Sequence, residues 1–123
     1  MIILDYRDRR PLNEQVAEKL QALILKGALP PGSRMPSVRD LSMELSINPN
    51  TVQRAYSELE RRGLIYPVRG RGNFVSEDAG IIERKKGEAL EALRAALDAC
   101  ASAGIPRSET LEAVREWAGE QHD

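Results

Sequence analysis

The feature that most constrains this chain is the run Asn48-Pro49-Asn50-Thr51-Val52-Gln53-Arg54-Ala55-Tyr56-Ser57-Glu58-Leu59. Asn48 suits a helix N-cap, and Pro49 suits the first helical position, where no backbone N–H is needed. Val52, Ala55, Tyr56 and Leu59 then fall at i, i+3, i+4 and i+7, which makes one narrow apolar stripe. At about 100° per residue, Asn50, Arg54 and Ser57 point directly away from that stripe, with Thr51 and Gln53 beside them. A merely solvated helix face normally carries Glu and Lys. This one leads with amides, hydroxyls and a guanidinium, and brings in Glu58 and Glu60 only later. Acids are missing from the end where an anionic partner would repel them.

The flanking segments complete a recognisable unit. Ser37 can cap a short helix over roughly residues 38–45, and Asp40 stands at the capping-box spacing. Val38, Leu41 and Leu45 point inward from it. Upstream, residues 11–26 predict a helix opened by Pro11 and closed by Gly27, with Leu12, Val16, Leu20, Leu23 and Ile24 on one face. Leu29-Pro30-Pro31-Gly32 must then cross between elements as a rigid turn. Gly63 ends the third helix. Leu64-Ile65-Tyr66 and Asn73-Phe74-Val75 are short β runs, joined by the turn Arg69-Gly70-Arg71-Gly72. Residues 1–76 therefore read as a winged helix-turn-helix.

Beyond Ser76 the composition changes. Residues 77–80 predict a hinge, and residues 81–123 a helical tail. A long helix carries Ile82, Leu90, Leu93, Leu97 and Cys100, with coiled-coil-like spacing from Leu90 onward. Gly104 and Pro106 break the chain, and Ser108 is expected to cap a last helix bearing Leu111, Val114, Trp117 and Ala118. The fold class is mainly α with a small β-wing: a winged helix-turn-helix followed by a two-helix C-terminal dimerisation tail. The long helix cannot bury its leucines against one short helix, so a second copy of the chain is the natural cover. Ile82, Leu90, Leu93, Leu97 and Trp117 are the expected homodimer contacts. The competing arrangement folds both tail helices back on their own winged domain.

Charge supports the division. Residues 1–76 hold twelve Lys/Arg and eight Asp/Glu, a surplus of +4, while residues 77–123 hold six and eleven, a balance of −5. The basic surplus lies on the half that carries the motif. Double-stranded DNA is the expected partner. Asn and Gln can bond bidentately to adenine, Arg to guanine, and Thr to a phosphate or a thymine methyl. These groups occupy the first two turns of the third helix, the part that enters the major groove in helix-turn-helix docking. Arg39, at the start of the second helix, is placed for a phosphate, with Arg34 a further candidate. Arg69, Gly70 and Arg71 form the wing, where glycine lets the backbone approach and the arginines can reach the minor groove. Arg7, Arg9 and Arg10 make a basic arm that fits either a phosphate contact or an ordinary polar terminus.

Other classes find little support. No carboxylates pair in a cleft, Cys100 has no base, and His122 stands near the end of the chain, so no catalytic residue, metal ligand or cofactor is expected. Cys100 reads as a small buried hydrophobe. No apolar run approaches the roughly 18 residues of a membrane span. The opening MIILDY is too short and too soon charged for a signal peptide, so a cytoplasmic location is expected. A winged helix can also serve as a protein–protein adaptor without DNA binding. That version requires an apolar patch on the third helix where this chain has Asn50, Arg54 and Ser57. A small-molecule effector of unknown identity would find a pocket only at the dimer interface of the two tail helices.

Residues 10–76, from PLNEQVAEKLQALILKGALPPGSRMPSVRDL to NTVQRAYSELERRGLIYPVRGRGNFV, resemble the GntR family of bacterial transcription regulators almost continuously. The short tail is similar to the YtrA-type branch, since no chain remains for the larger effector domains of other branches. The resemblance implies a homodimer on a near-palindromic operator and repression of a nearby operon. It places DNA contacts on Arg39, Asn48, Asn50, Thr51, Gln53 and Gly70. Some relatives carry Arg at the positions of Pro49 and Gln53, so their base preference does not transfer. Many carry an aromatic where this chain has Asn13.

Overall fold

A computed structural model describes residues 2–120; His122 lies outside the described residues. The chain forms α1 (Leu12–Leu25), α2 (Val38–Leu45), α3 (Pro49–Arg61), β1 (Ile65–Val68), β2 (Gly72–Val75), α4 (Ala79–Ser102) and α5 (Arg107–Gly119). It divides into two compact units, Met1–Glu83 and Arg84–Asp123.

In the first unit α3 packs against α1, α2 and the sheet. Its expected stripe is the core: Val52, Ala55, Tyr56 and Leu59 are all essentially inaccessible. They meet Val16, Ala17, Leu20 and Ile24 of α1, Leu41 of α2, and Leu64, Ile65 and Val75 around the wing. Leu12 and Leu23, expected on the same face of α1, are only half-buried. Pro11 takes the N-cap position rather than the first helical one, so α1 begins at Leu12. The Ser37 hydroxyl accepts from the Asp40 N–H at 3.0 Å, which is one half of a capping box. No return bond from the Asp40 carboxylate is found among the described residues, consistent with a side chain one methylene shorter than Glu. Asn48 Oδ1 accepts from the Asn50 N–H at 2.8 Å, as an N-cap should.

The wing is larger than the sequence indicated. β1 and β2 pair antiparallel, with Ile65 opposite Val75 and Val68 opposite Gly72. Leu64 stands just outside the strand, and Gly72 belongs to β2 rather than to the turn. The Arg71 N–H closes the turn onto the Val68 carbonyl at 2.9 Å, with Gly70 at φ +79° in its third position. Residues 32–35, read from sequence as the end of a rigid crossing and its sequel, instead lie along the outer edge of β2. Gly32 N–H donates to Val75 O at 2.8 Å, Val75 N–H to Ser33 O at 2.9 Å, and Met35 N–H to Asn73 O at 2.8 Å. Arg34 bridges Phe74. Pro30 and Pro31 make the turn, but the short run after them lacks a strand-like alternation of its own.

Two polar groups tie the first unit together. Gln15 is 1% exposed, yet its carboxamide accepts from the Asp5 N–H and donates to the Arg10 carbonyl, both at 3.1 Å. It holds the N-terminal arm on α1, while Ile2 and Leu4 pack at the edge of the core. Tyr56 Oη donates to the Pro36 carbonyl at 2.6 Å, joining α3 to the approach of α2.

Ala79 and Gly80, assigned to a hinge from sequence, are already in the first turn of α4. The Asp78 carboxylate accepts the Gly80 N–H at 2.9 Å. Ile81 packs on the core of the first unit, and a Cβ on Gly63 would meet its Cδ1 at 3.2 Å. Ile82, expected from sequence as a dimer contact, is half-buried. In the second unit α5 begins at Arg107, so Ser108 lies inside the helix and not at its cap. Pro106, in an extended conformation, supplies the carbonyl that Glu109 and Thr110 N–H groups use. Neither α4 nor α5 contains a buried residue. Cys100, expected to be buried, is partly exposed, because two helices alone do not enclose it.

Candidate nucleic-acid interface

The outer face of α3 is polar and open. Asn50, Gln53, Arg54 and Ser57 are exposed, and Thr51 is half-buried. Gln53 Nε2 lies 3.4 Å from Ser57 Oγ, a weak bond that leaves most of its amide available. Asn48 is exposed as well; its Oδ1 accepts the cap bond, which leaves its NH₂ free to meet a partner. Arg54 makes no ion pair among the described residues. The sequence-predicted face is thus assembled as expected. No large apolar side chain of α3 is exposed.

The far end of that face is tied to α1. Arg62, just past α3, bonds Glu18 at 3.0 Å and Gln21 at 2.9 Å on α1, and Glu58 at 3.1 Å on α3. Arg61 forms an ion pair with the same Glu58 carboxylate. These bonds, Arg61 first, hold Glu58 down to about 2. The acid nearest the polar face is therefore neutralised locally by two guanidinium groups. A polar cleft of about 640 Å3 runs between α1 and α3, lined by Asn13, Glu14, Gln53, Arg54 and Ser57 among others. The Glu18–Arg62 half of this link was not foreseen from sequence, since those two residues are far apart in the chain.

Arg39 is exposed on the first turn of α2, and Ser42, buried below it, bonds the Arg39 carbonyl at 2.8 Å. Arg69, Gly70 and Arg71 are exposed at the wing tip. The basic arm is partly consumed: Arg10 pairs with Asp8 at 2.8 Å, which lowers the Asp8 pKa and raises that of Arg10. Among the described residues no three His, Cys, Asp or Glu gather at metal-binding spacing, and no helix is long and apolar enough to cross a membrane.

Comparison with known proteins agrees with this architecture. The family described as "Bacterial regulatory proteins, gntR family" matches residues 12–75. The chain is 40% identical over 122 residues to the HTH-type transcriptional repressor YtrA of Bacillus subtilis, spanning 98% of this chain and 91% of that protein. A GntR family transcriptional regulator from Listeria monocytogenes superposes with a TM-score of 0.78 at 32% identity, covering 92% of this chain and 98% of that one. The DNA-binding domain of AraR in complex with operator ORR3 superposes with a TM-score of 0.54 at 28% identity, over 62% of this chain and 92% of that one. With a winged helix-turn-helix matched along its length and a similar short tail, the chain belongs to the GntR family and is a transcriptional regulator with a DNA-binding domain, of the YtrA-like branch.

Proposed function

We propose that the protein is a cytoplasmic repressor that binds a near-palindromic operator as a homodimer. The observation that carries the reading is the outer face of α3. Asn50, Gln53, Arg54 and Ser57 are exposed on the helix whose opposite side is the core. Asn50, Thr51, Gln53 and Arg54 would read base edges in the major groove. Asn48 would position the helix, Arg39 would bind a phosphate, and Arg69, Gly70 and Arg71 would engage the backbone and minor groove. The similarity to a repressor supports the sign of regulation, and the AraR–operator complex supports duplex DNA as the partner.

The tail supports the dimer. Leu90, Leu93, Leu97 and Trp117 are 66%, 45%, 39% and 62% exposed in the single chain. Fully burying each leucine contributes roughly 1.5–3 kcal/mol before ordering costs. Ile82 would lie at the margin of that surface. Between α4 and α5 an apolar recess of about 370 Å3 is lined by Leu93, Leu97, Cys100, Ile105, Val114 and Trp117, with Glu109 and Thr110 also bordering it. This is the place in the tail for a small apolar effector, which has no assigned identity. Two recognition helices set by a dimer would meet successive major grooves about 34 Å apart.

The test is selection of bound duplexes from a random pool, followed by mobility shifts with Asn50→Ala. The variant should lose roughly 1–3 kcal/mol of discrimination at one position in each half-site. An unchanged sequence preference would refute base readout by this face. A monomer in sedimentation at micromolar concentration would refute the dimer. An adaptor without DNA binding is disfavoured by the lack of an exposed large apolar side chain on α3.

A further inference from the structure

Arg34 has a place in the structure that its sequence position did not suggest. It lies four positions ahead of the first residue of α2, and from sequence it is a phosphate candidate alongside Arg39 of that helix. The pairing of residues 32–35 along β2 carries it onto the wing. We infer that Arg34 is a DNA-phosphate ligand of the wing, supplied to the hairpin by a separate segment of the chain; this rests on the DNA-binding reading above.

Three observations support the assignment. The first is the face on which Arg34 stands. Along this small sheet Met35, Ile65 and Val75 turn into the core. The alternate residues Tyr66 and Phe74 turn outward, with their rings stacked at 6.0 Å. Arg34 is bridged to Phe74, so it shares that outward face. The second is where its guanidinium rests. A Cβ on Gly72 would lie 3.4 Å from Arg34 Nε and 3.6 Å from Nη2. Gly72, at φ +102°, therefore leaves the space in which the guanidinium sits, directly after Arg71. The third is charge. Arg34 is exposed and has no ion-pair partner among the described residues. Residues 63–76 contain no acid. Asp40 borders the same recess as Arg34, and the Glu77 carboxylate lies against Gly32, yet neither forms an ion pair with it.

The position within the wing selects phosphate over base. Arg69 and Arg71 occupy the turn and have the reach to enter a groove. Arg34 stands behind them, beside the first residue of β2, where a docked hairpin meets the sugar-phosphate wall. A guanidinium held there presents a fork of donors suited to phosphate oxygens. Because the pairing that brings it there is made by backbone groups, the side chain can be changed without dismantling the wing.

The experiment uses the full chain with Arg34→Gln and Arg34→Lys. The probe is a duplex that the wild-type protein selects from a random-sequence pool, titrated over a series of salt concentrations. Arg34→Gln should bind more weakly, with the same base preference. Its slope of log affinity against log salt should be shallower by about 0.9 for each protomer that loses a phosphate contact. Arg34→Lys should keep most of the wild-type slope, since it keeps the charge. A slope unchanged in Arg34→Gln would overturn the inference while leaving the DNA-binding reading intact. Equal loss in both variants, with a lowered unfolding midpoint, would make Arg34 a structural residue and overturn it too. A wild-type protein that binds no duplex at low salt would overturn both readings together.

Discussion

Removing one oxygen from the core of the winged unit should have a measurable and assignable cost. Tyr56 is 1% exposed, and its hydroxyl donates to the Pro36 carbonyl at 2.6 Å. Tyr56→Phe keeps the ring and its packing but deletes the donor. A typical intramolecular hydrogen bond contributes about 1 kcal/mol net, and a buried acceptor left without a partner costs about 1–3 kcal/mol. Pro36 is only half-buried, so water can reach it in part and the lower end applies. The expected loss is about 1–2 kcal/mol, and a unit of this size shifts its midpoint roughly 4–8 °C for each kcal/mol. Urea unfolding followed by far-UV circular dichroism should show a lower midpoint at an unchanged slope. Trp117 lies in the other unit, so its fluorescence reads the tail separately. The same hydroxyl sets a pH signature. Burial pushes the Tyr56 phenol above its ordinary value of about 10. A group raised in the folded state contributes stability that is present below its unfolded pKa and is lost as pH rises above it. Wild type should therefore lose stability above about pH 10 more steeply than Tyr56→Phe. Equal midpoints at neutral pH, together with parallel alkaline limbs, would refute the account.

Three further outcomes follow from named contacts. Asn48→Ala removes the cap of α3 and should cost about 1 kcal/mol of stability in thermal unfolding. Glu58 is held below its ordinary value by Arg61 and Arg62, so its contribution is present above about pH 4.5 and is lost as pH falls toward about 2. Glu58→Gln should accordingly flatten the acid limb of a stability–pH curve. Gln15→Ala leaves the Asp5 N–H and the Arg10 carbonyl without their partner, and limited trypsin digestion should then cut after Arg7 or Arg9 faster than in wild type.

Some of this molecule was legible before any coordinates. The buried stripe of α3, the Asn48 cap and the bounds of α2 rest on interactions within a few residues, and the sequence reading of each agrees with the fold. Other placements were not legible. Gln15, polar among the apolar positions of α1, serves the backbone of an arm that folds over the helix. Ile81 packs on the core of the first unit because Asp78 starts α4 close to that core, a contact that the sequence pattern does not single out. Cys100 follows the apolar pattern of α4, but periodicity shows only which side of a helix is apolar, not what covers it.

By itself the sequence determined where α2 and α3 start, which side of each helix is apolar, and that the outward side of α3 offers amides and a guanidinium. Capping, proline placement and i, i+4 spacing act over one or two turns, so neighbours along the chain settle them. Only the tertiary structure decided that residues 32–35 join the wing, that Arg34 rests beside Gly72, and that Arg62 draws together Glu18, Gln21 and Glu58. Apart from the Glu58–Arg62 pair within one turn, those contacts join residues tens of positions apart. Each forms only after the core has brought the segments to within hydrogen-bonding reach, and no local pattern encodes that distance.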